Sequence, residues 1–492
     1  MLYAHAPMKS LRGLEKIHRD YGPRTSAAKV EAILALDATQ LPSARAVLRF
    51  HEILLYLRAF PDDPPLLKAV ERTLDRFEKR RDLARFRTAL SNTGIAGTEI
   101  RYRFFWPMAR WLASRWPERL RYADDADPRL RAALPLLVSP LQAEAIRRTE
   151  RPTAEILDRL RGKSTAAAWV VRRLEALDAS EAIREWIHDT IDAMYVLDPG
   201  PAGPSRTHAL RKGDSPLFRT APPRRDRPDL AQAIEVPPLS VRRTGRSEGA
   251  RLIDLAREAM VTRKRDLDAF TWGNPRDVRM VEDRDGLAFA MIGVVPEKRL
   301  PLPAVHGWLT LRNGVPTGYV QTDTLLDTSE VSFNTFETFR GTDAAHVFAR
   351  VLAVTRHVLG ARSFTIEPYQ LGHGNDEGLQ SGAWWFYAHL GFRPKDPKVR
   401  RLHRSELMKM ERSPEHRSSL ATLGRLAAQH LYWNESAKVP AILPGVPQLG
   451  LGNSERLEPF LRAVARAKAH PDEDKSLEAF RKLRGLARVL TS

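Results

Sequence analysis

Arg340-Gly341-Thr342-Asp343-Ala344-Ala345 lies between an apolar strand-like run, Glu330 to Phe339, and a helix-like run, Ala344 to Leu359. In the second run Val347, Val351, Val354 and Val358 recur on one face, and Phe348, Leu352 and Leu359 widen it. That spacing predicts a helix heavily buried against a sheet. Gly341 allows a sharp turn before it. The helix start would then point unsatisfied N–H groups and a positive dipole end at a cleft, which favours an anion. Asp343 complicates this reading. Its carboxylate can bond the same N–H groups as an N-cap, and it would repel a dianion by about 1–4 kcal/mol at surface dielectric. Arg340 can offset that charge. A second constellation, Glu367 to Glu377, is a polar stretch after another short strand, where α/β sheets usually bind ligands. Gln370, His373, Asn375 and Glu377 are its candidate substrate-binding residues, against the alternative of a glycine-flanked solvent loop.

Ala383-Trp384-Trp385-Phe386-Tyr387-Ala388-His389-Leu390-Gly391-Phe392 follows. Taken together, residues 250–412 resemble the GNAT superfamily of acyl-CoA-dependent N-acyltransferases. Two motifs carry the resemblance: an R-x-x-G-x-A turn at Arg340 to Ala345, and an A-x-x-F-Y-x-x-x-G-F segment from Ala383. The resemblance implies that Arg340, Gly341, Thr342, Asp343, Ala344 and Ala345 cradle the pyrophosphate of acetyl-CoA or another acyl-CoA. It implies Tyr387 as the acid that protonates the leaving thiolate, with aromatic packing as the plain alternative. Glu330 stands where the family often has a carboxylate that deprotonates the attacking amine, and Glu337 is a second candidate, at a place usually held by proline. Gln380 replaces a common asparagine. The implied acceptor is an amine, on a small molecule or a protein. The chain departs from the pattern at Asp343, where the family has glycine. On this reading Asp343→Gly should tighten cofactor binding.

The elements that would position these residues form a multidomain α+β chain. Residues 1–197 read as an all-α region. Apolar stripes run through Ala46, Phe50, Ile53, Leu54 and Leu57, and through Leu66, Leu67, Val70, Leu74 and Phe77. Ser139-Pro140-Leu141-Gln142 has the make-up of a helix start. Residues 198–249 read as a Pro/Arg-rich linker. Residues 250–412 read as a mixed α/β domain: a helix at Arg251 to Met260, then strands at Asp277–Val281, Leu287–Val294 and His306–Leu311, with a hairpin turn at Asn313-Gly314. Residues 413–492 read as a helical extension, with a cap at Asn453-Ser454-Glu455 and a stripe of Leu477, Phe480, Leu483 and Leu486.

The 492 residues include no cysteine, which removes disulfides, thiolate nucleophiles and Cys-based zinc sites. No run of about 18 apolar residues or signal sequence is evident, so a cytoplasmic protein is expected. The net charge of +19 would attract polyanions, with the Arg-rich linker as a contact, unless it reflects only arginine-rich composition. Arg161-Gly162-Lys163-Ser164-Thr165 looks like the end of a phosphate-binding loop, but Leu157 stands where its first glycine belongs and no strand precedes it. Gly450-Leu451-Gly452 lacks a third glycine. No metal-ligand spacing is present, and His346, His357 and His389 are scattered singly. Two function classes therefore compete: an N-acyltransferase, and a catalytically silent domain of the same fold in a basic protein that binds an acidic partner or nucleic acid. A transferase taking its acyl group from an aminoacyl-tRNA is a third reading, with no specific residue in its favour. Oligomeric state is not legible.

Overall fold

Alternation of apolar side chains along the central strands sets the architecture. Phe289 and Met291 point to one side of their strand, and Ala288, Ala290 and Ile292 to the other, and all five are buried. A strand with both faces covered sits in the middle of a layered molecule. The computed structural model describes residues 5–434, apart from 126, 201, 214, 300–302 and 326. The cap at Asn453, the stripe from Leu477 and Gly450-Leu451-Gly452 lie outside the described residues.

Three short strands, β1 (Ile100–Tyr102), β2 (Leu120–Tyr122) and β3 (Tyr195–Leu197), make a small sheet of order β1-β3-β2. This corrects the all-α expectation for the first 197 residues: three-residue strands fall below what periodicity can register. The large sheet contains β4 (Ser240–Arg243), β5 (Gly273–Glu282), β6 (Leu287–Val294), β7 (Ala304–Arg312), β8 (Val315–Leu325), β9 (Thr328–Thr335), β10 (Ser363–Ile366), β11 (Arg393–Pro394) and β12 (Leu431–Asn434). Its order is β11-β12-β10-β9-β8-β7-β6-β5-β4. β4 to β9 form an antiparallel meander, with Asn313-Gly314 turning β7 into β8. β9 and β10 are parallel, joined by the helix Ala344–Leu359. β12 lies antiparallel to β10, so the extension expected to be helical contributes a strand.

One face of the sheet packs against the helices Ala44–Ala59 and Pro64–Phe77 and against Arg246–Val261 in a single core, with Leu309, Leu311 and Val315 from the sheet. The other face carries Ala344–Leu359 and the aromatic helix Ala383–His389, with Trp308, Val320 and Val331 beneath them. A separate core surrounds the small sheet, built from residues 100 to 197 with Val261. Ser139 and Gln142 form the expected capping box.

The stretch read as a linker is structured. Thr207 is fully buried, with its hydroxyl 2.9 Å from His51 Nε2 and accepting from the Ala96 amide at 2.9 Å. β4 pairs with β5 along Ser240 to Arg243. Arg211 pairs with Glu282, Arg224 with Asp226 and Arg242 with Glu248, so several of its cations already have acidic partners. No helix among the described residues is long and apolar enough to cross a membrane.

Candidate functional site

The strand expected from Glu330 to Phe339 ends at Thr335, and Glu337–Phe339 forms a short 3-10 turn, with Phe336 buried against Tyr319 and Phe339 against Phe60. Gly341 then takes φ +72°, the left-handed region that glycine enters without strain. The turn is braced from inside and outside. Thr342 Oγ1 donates to the Phe339 carbonyl at 2.7 Å, and the Arg19 guanidinium donates to the Arg340 and Gly341 carbonyls at 3.3 and 3.4 Å.

Asp343 occupies the N-cap position of Ala344–Leu359, yet its side chain accepts no helix amide. The carboxylate turns back into the protein and accepts from Arg312 Nη2 at 2.5 Å. Both side chains are nearly buried, Arg312 at 3% exposure and Asp343 at 11%. The competition expected from sequence, carboxylate against anion for the same N–H groups, is therefore absent. Asp343's charge is matched by Arg312 on β7, and the helix start is uncapped by any side chain among the described residues.

Beside that turn the sheet opens. β9 and β10 are paired only from Thr328/Ser363 to Glu330/Thr365. β9 continues to Thr335 with its second edge unpaired by β10. β10 stops because Glu367-Pro368 follows, and proline has no N–H to extend a ladder. The chain instead turns through two short helices, Pro368–Leu371 and Asp376–Ser381, where sequence had suggested only a polar loop. A cavity of about 570 Å³ fills the opening. Phe333, Asn334 and Thr335 line it from β9, and Arg340, Gly341 and Ala344 from the turn at Gly341. Gln370, Asn375 and Glu377 line it from the helical turns, and Tyr387 from the aromatic helix.

Seven of the twelve site residues read from sequence thus meet in one cavity: Arg340, Gly341, Ala344, Gln370, Asn375, Glu377 and Tyr387. Tyr387 is 3% exposed and packs edge-on against Phe348 at 5.3 Å between ring centroids. Burial, then the negative charge of Glu367, pushes its phenol above the ordinary range, so it stays protonated at neutral pH. Glu377 is bridged by Arg340 and by Arg265, the latter at 2.9 Å. Burial would raise its carboxyl, but the two guanidinium groups outweigh that and hold it low. Asn375 caps its own helical turn by accepting from the Gly378 amide at 3.1 Å.

The other predicted residues stand apart from the cavity lining. His373 is exposed and does not line the cavity. Thr342 and Asp343 are turned inward as described, and Ala345 does not line the cavity. Glu330 sits at the closed end of the opening, at the last β9–β10 pair, 3.3 Å from His430 Nε2. Asp323 lies directly across β8 from it, and burial, then Glu330's charge, raises the Asp323 carboxyl to about 6. Glu367 is raised too, first by burial and then by Glu330. Glu337 is exposed on the turn after β9.

Sequence reasoning missed the opposite wall. Tyr102, Phe105, Arg265, Asp266 and Tyr319 line the cavity from segments before β9, the first two from the region around the small sheet. Chain separation hid them, since no local pattern links Tyr102 to Tyr387. No protein-family model, curated protein or solved structure matches this chain.

Proposed function

We propose that this cavity is the active site of an N-acyltransferase of the GNAT kind, taking its acyl group from acetyl-CoA or a related thioester. One observation carries the reading. The N-cap carboxylate, Asp343, is spent on Arg312, so the Ala344 amide stands beside the cavity with no side-chain cap among the described residues. A helix start of this kind is suited to a phosphate group, and the parting of β9 from β10 gives an extended ligand room next to it.

The residues fit the donor and its chemistry. The Gly341–Ala345 turn would hold the pyrophosphate, with Arg340 contributing positive charge. The bound donor supplies an activated acyl thioester. Tyr387, un-ionised and set in the cavity wall, gives its proton to the sulfur that departs when the amine nitrogen attacks the acyl carbon. The proton shed by the amine passes through water to the carboxylates at the closed end of the opening, Glu330 with Glu367 beside it, which stand outside the cavity lining. Glu377, held by two arginines, fixes the mouth of the cavity.

The test is amine-dependent release of free thiol from acetyl-CoA. Wild-type protein is expected to release thiol in the presence of an amine. Tyr387→Phe should lower turnover by roughly 100-fold, the lower end of what a positioned proton donor contributes, without changing affinity for acetyl-CoA. Full turnover in Tyr387→Phe would remove the role assigned to the phenol, and thiol release that ignores added amine would remove the reaction.

A further inference from the structure

Asp266 is the odd group in the cavity. Both of its carboxylate oxygens are shielded from solvent, and neither has a hydrogen-bond partner among the described residues. The Phe105 amide is its one polar neighbour that favours the charge, and it offsets only part of the effect of burial. An ionised carboxylate without partners is costly to bury, and a nearby cation would relieve it. The adjacent Arg265 does not. Its guanidinium is turned away, donating to the Tyr319 hydroxyl at 3.2 Å and to Glu377 at 2.9 Å. Asp268, the other charged neighbour, is an acid and makes matters worse.

The surroundings of Asp266 are aromatic. Tyr102, Phe105, Tyr319 and Tyr369 line the same cavity. Phe105 and Tyr369 are 55% and 54% exposed, a large apolar area left open at the rim of a pocket. Aromatic rings lining a cavity together with an unpaired carboxylate make the combination that recognises an organic cation: the rings attract it through their quadrupoles, and the carboxylate gives a charged hydrogen-bond acceptor.

We propose that Asp266, with Tyr102, Phe105, Tyr319 and Tyr369, is a binding site for an organic ammonium group, so that the second substrate of the cavity is an aliphatic amine that enters as its cation. The assignment rests on the transferase reading only in making that amine the acyl acceptor; the ammonium site itself does not need it. Binding restores a counter-charge to Asp266. Burial first, with Asp268 adding to it and the Phe105 amide opposing, raises the unliganded carboxyl to about 7. The charged and titratable groups around it are Arg265, Asp268 and Glu377, with the phenols of Tyr102, Tyr319 and Tyr369. The site therefore takes an ammonium ion well above pH 7 and loses affinity as the pH falls through it.

The experiment is calorimetric titration of the full chain with n-butylamine and, as an uncharged isostere, 1-butanol, alongside melting with and without acetyl-CoA. Butylamine should bind at pH 8 with at least ten times the affinity of butanol, and about tenfold more weakly at pH 6. Asp266→Asn should lose at least tenfold in butylamine affinity, and Phe105→Ala, at an exposed position, severalfold. Asp266→Asn should keep the wild-type melting shift with acetyl-CoA and melt higher than wild type on its own. Equal binding of the two probes, unchanged amine affinity in Asp266→Asn, or a lower melting temperature in that variant would overturn the ammonium site. Selective amine binding with no acetyl-CoA shift would support the site and instead remove the transferase reading.

Discussion

The pairing of Asp343 with Arg312 decides how the helix start behaves, and it is a tertiary fact. From sequence, aspartate before an apolar helix reads as an N-cap, and Arg312, thirty-one positions earlier at the end of a strand, carries no sign of being its partner. Once the pair is buried, removing one member leaves an uncompensated charge, a loss of about 3–5 kcal/mol. Asp343→Gly should therefore lower the melting temperature markedly and leave acetyl-CoA affinity no tighter, reversing the expectation from the motif alone. Removing both charges with Arg312→Met and Asp343→Ala should recover most of the lost stability. Tighter binding in Asp343→Gly would show that the carboxylate competes with the cofactor after all. Asp266 gives the opposite case at this scale. Its carboxyl is raised to about 7 in the folded chain and titrates near 4 when unfolded. Between those values the native state holds a proton that the unfolded state has lost, so this group's contribution to stability falls as pH rises from about 4 to about 7. The gain in melting temperature for Asp266→Asn should be absent near pH 4, grow through that window and level off above pH 7. A gain independent of pH would mean that the carboxylate's charge is not its cause.

At the level of elements, much was legible. The helix Ala344–Leu359 follows from its valine spacing, the hairpin from Asn313-Gly314, and the β9–turn–helix–β10 unit from the order of apolar runs. What the sequence did not disclose is where the β9–β10 ladder stops, because that depends on Pro368 withholding an N–H and on β12 covering the other edge of β10. The brace on the Gly341 turn was equally hidden, since Arg19 lies more than three hundred residues away. The turn's conformation can be tested directly. Gly341→Ala places a Cβ at φ +72°, a cost of about 1–2 kcal/mol, and should weaken acetyl-CoA binding. Gly360→Ala, at φ +77° and the opposite end of the same helix, carries similar strain and should leave cofactor affinity unchanged. Equal effects on affinity would show that only general destabilisation is being read.

On the scale of the whole molecule, residues 11–95 are not an appendage. Phe50, Leu54, Leu57, Val70 and Phe77 share one core with Ala290, Ile292, Leu309 and Leu311 of the sheet. Helical periodicity announced that each helix has a buried face, but nothing local says what covers it. A fragment beginning at Arg246 would expose that side of the sheet and should be recovered only as aggregate. A soluble, cooperatively melting fragment would show the sheet to be stable without its N-terminal cover. The same arrangement explains why half the cavity went unread: its second wall is supplied by Tyr102, Phe105 and Asp266 from segments distant in the chain, brought in by packing rather than by any motif.

The most direct measurement is the melting temperature of the full chain with and without acetyl-CoA. An uncapped helix start beside an open cavity should bind it, and at one hundred times the dissociation constant the fold gains about 2.7 kcal/mol, seen as a rise of a few degrees that pantetheine, which lacks the phosphate groups, does not reproduce. An unchanged melting curve at millimolar acetyl-CoA, or an equal rise with pantetheine, would contradict the assignment of the Gly341–Ala345 turn as a pyrophosphate cradle.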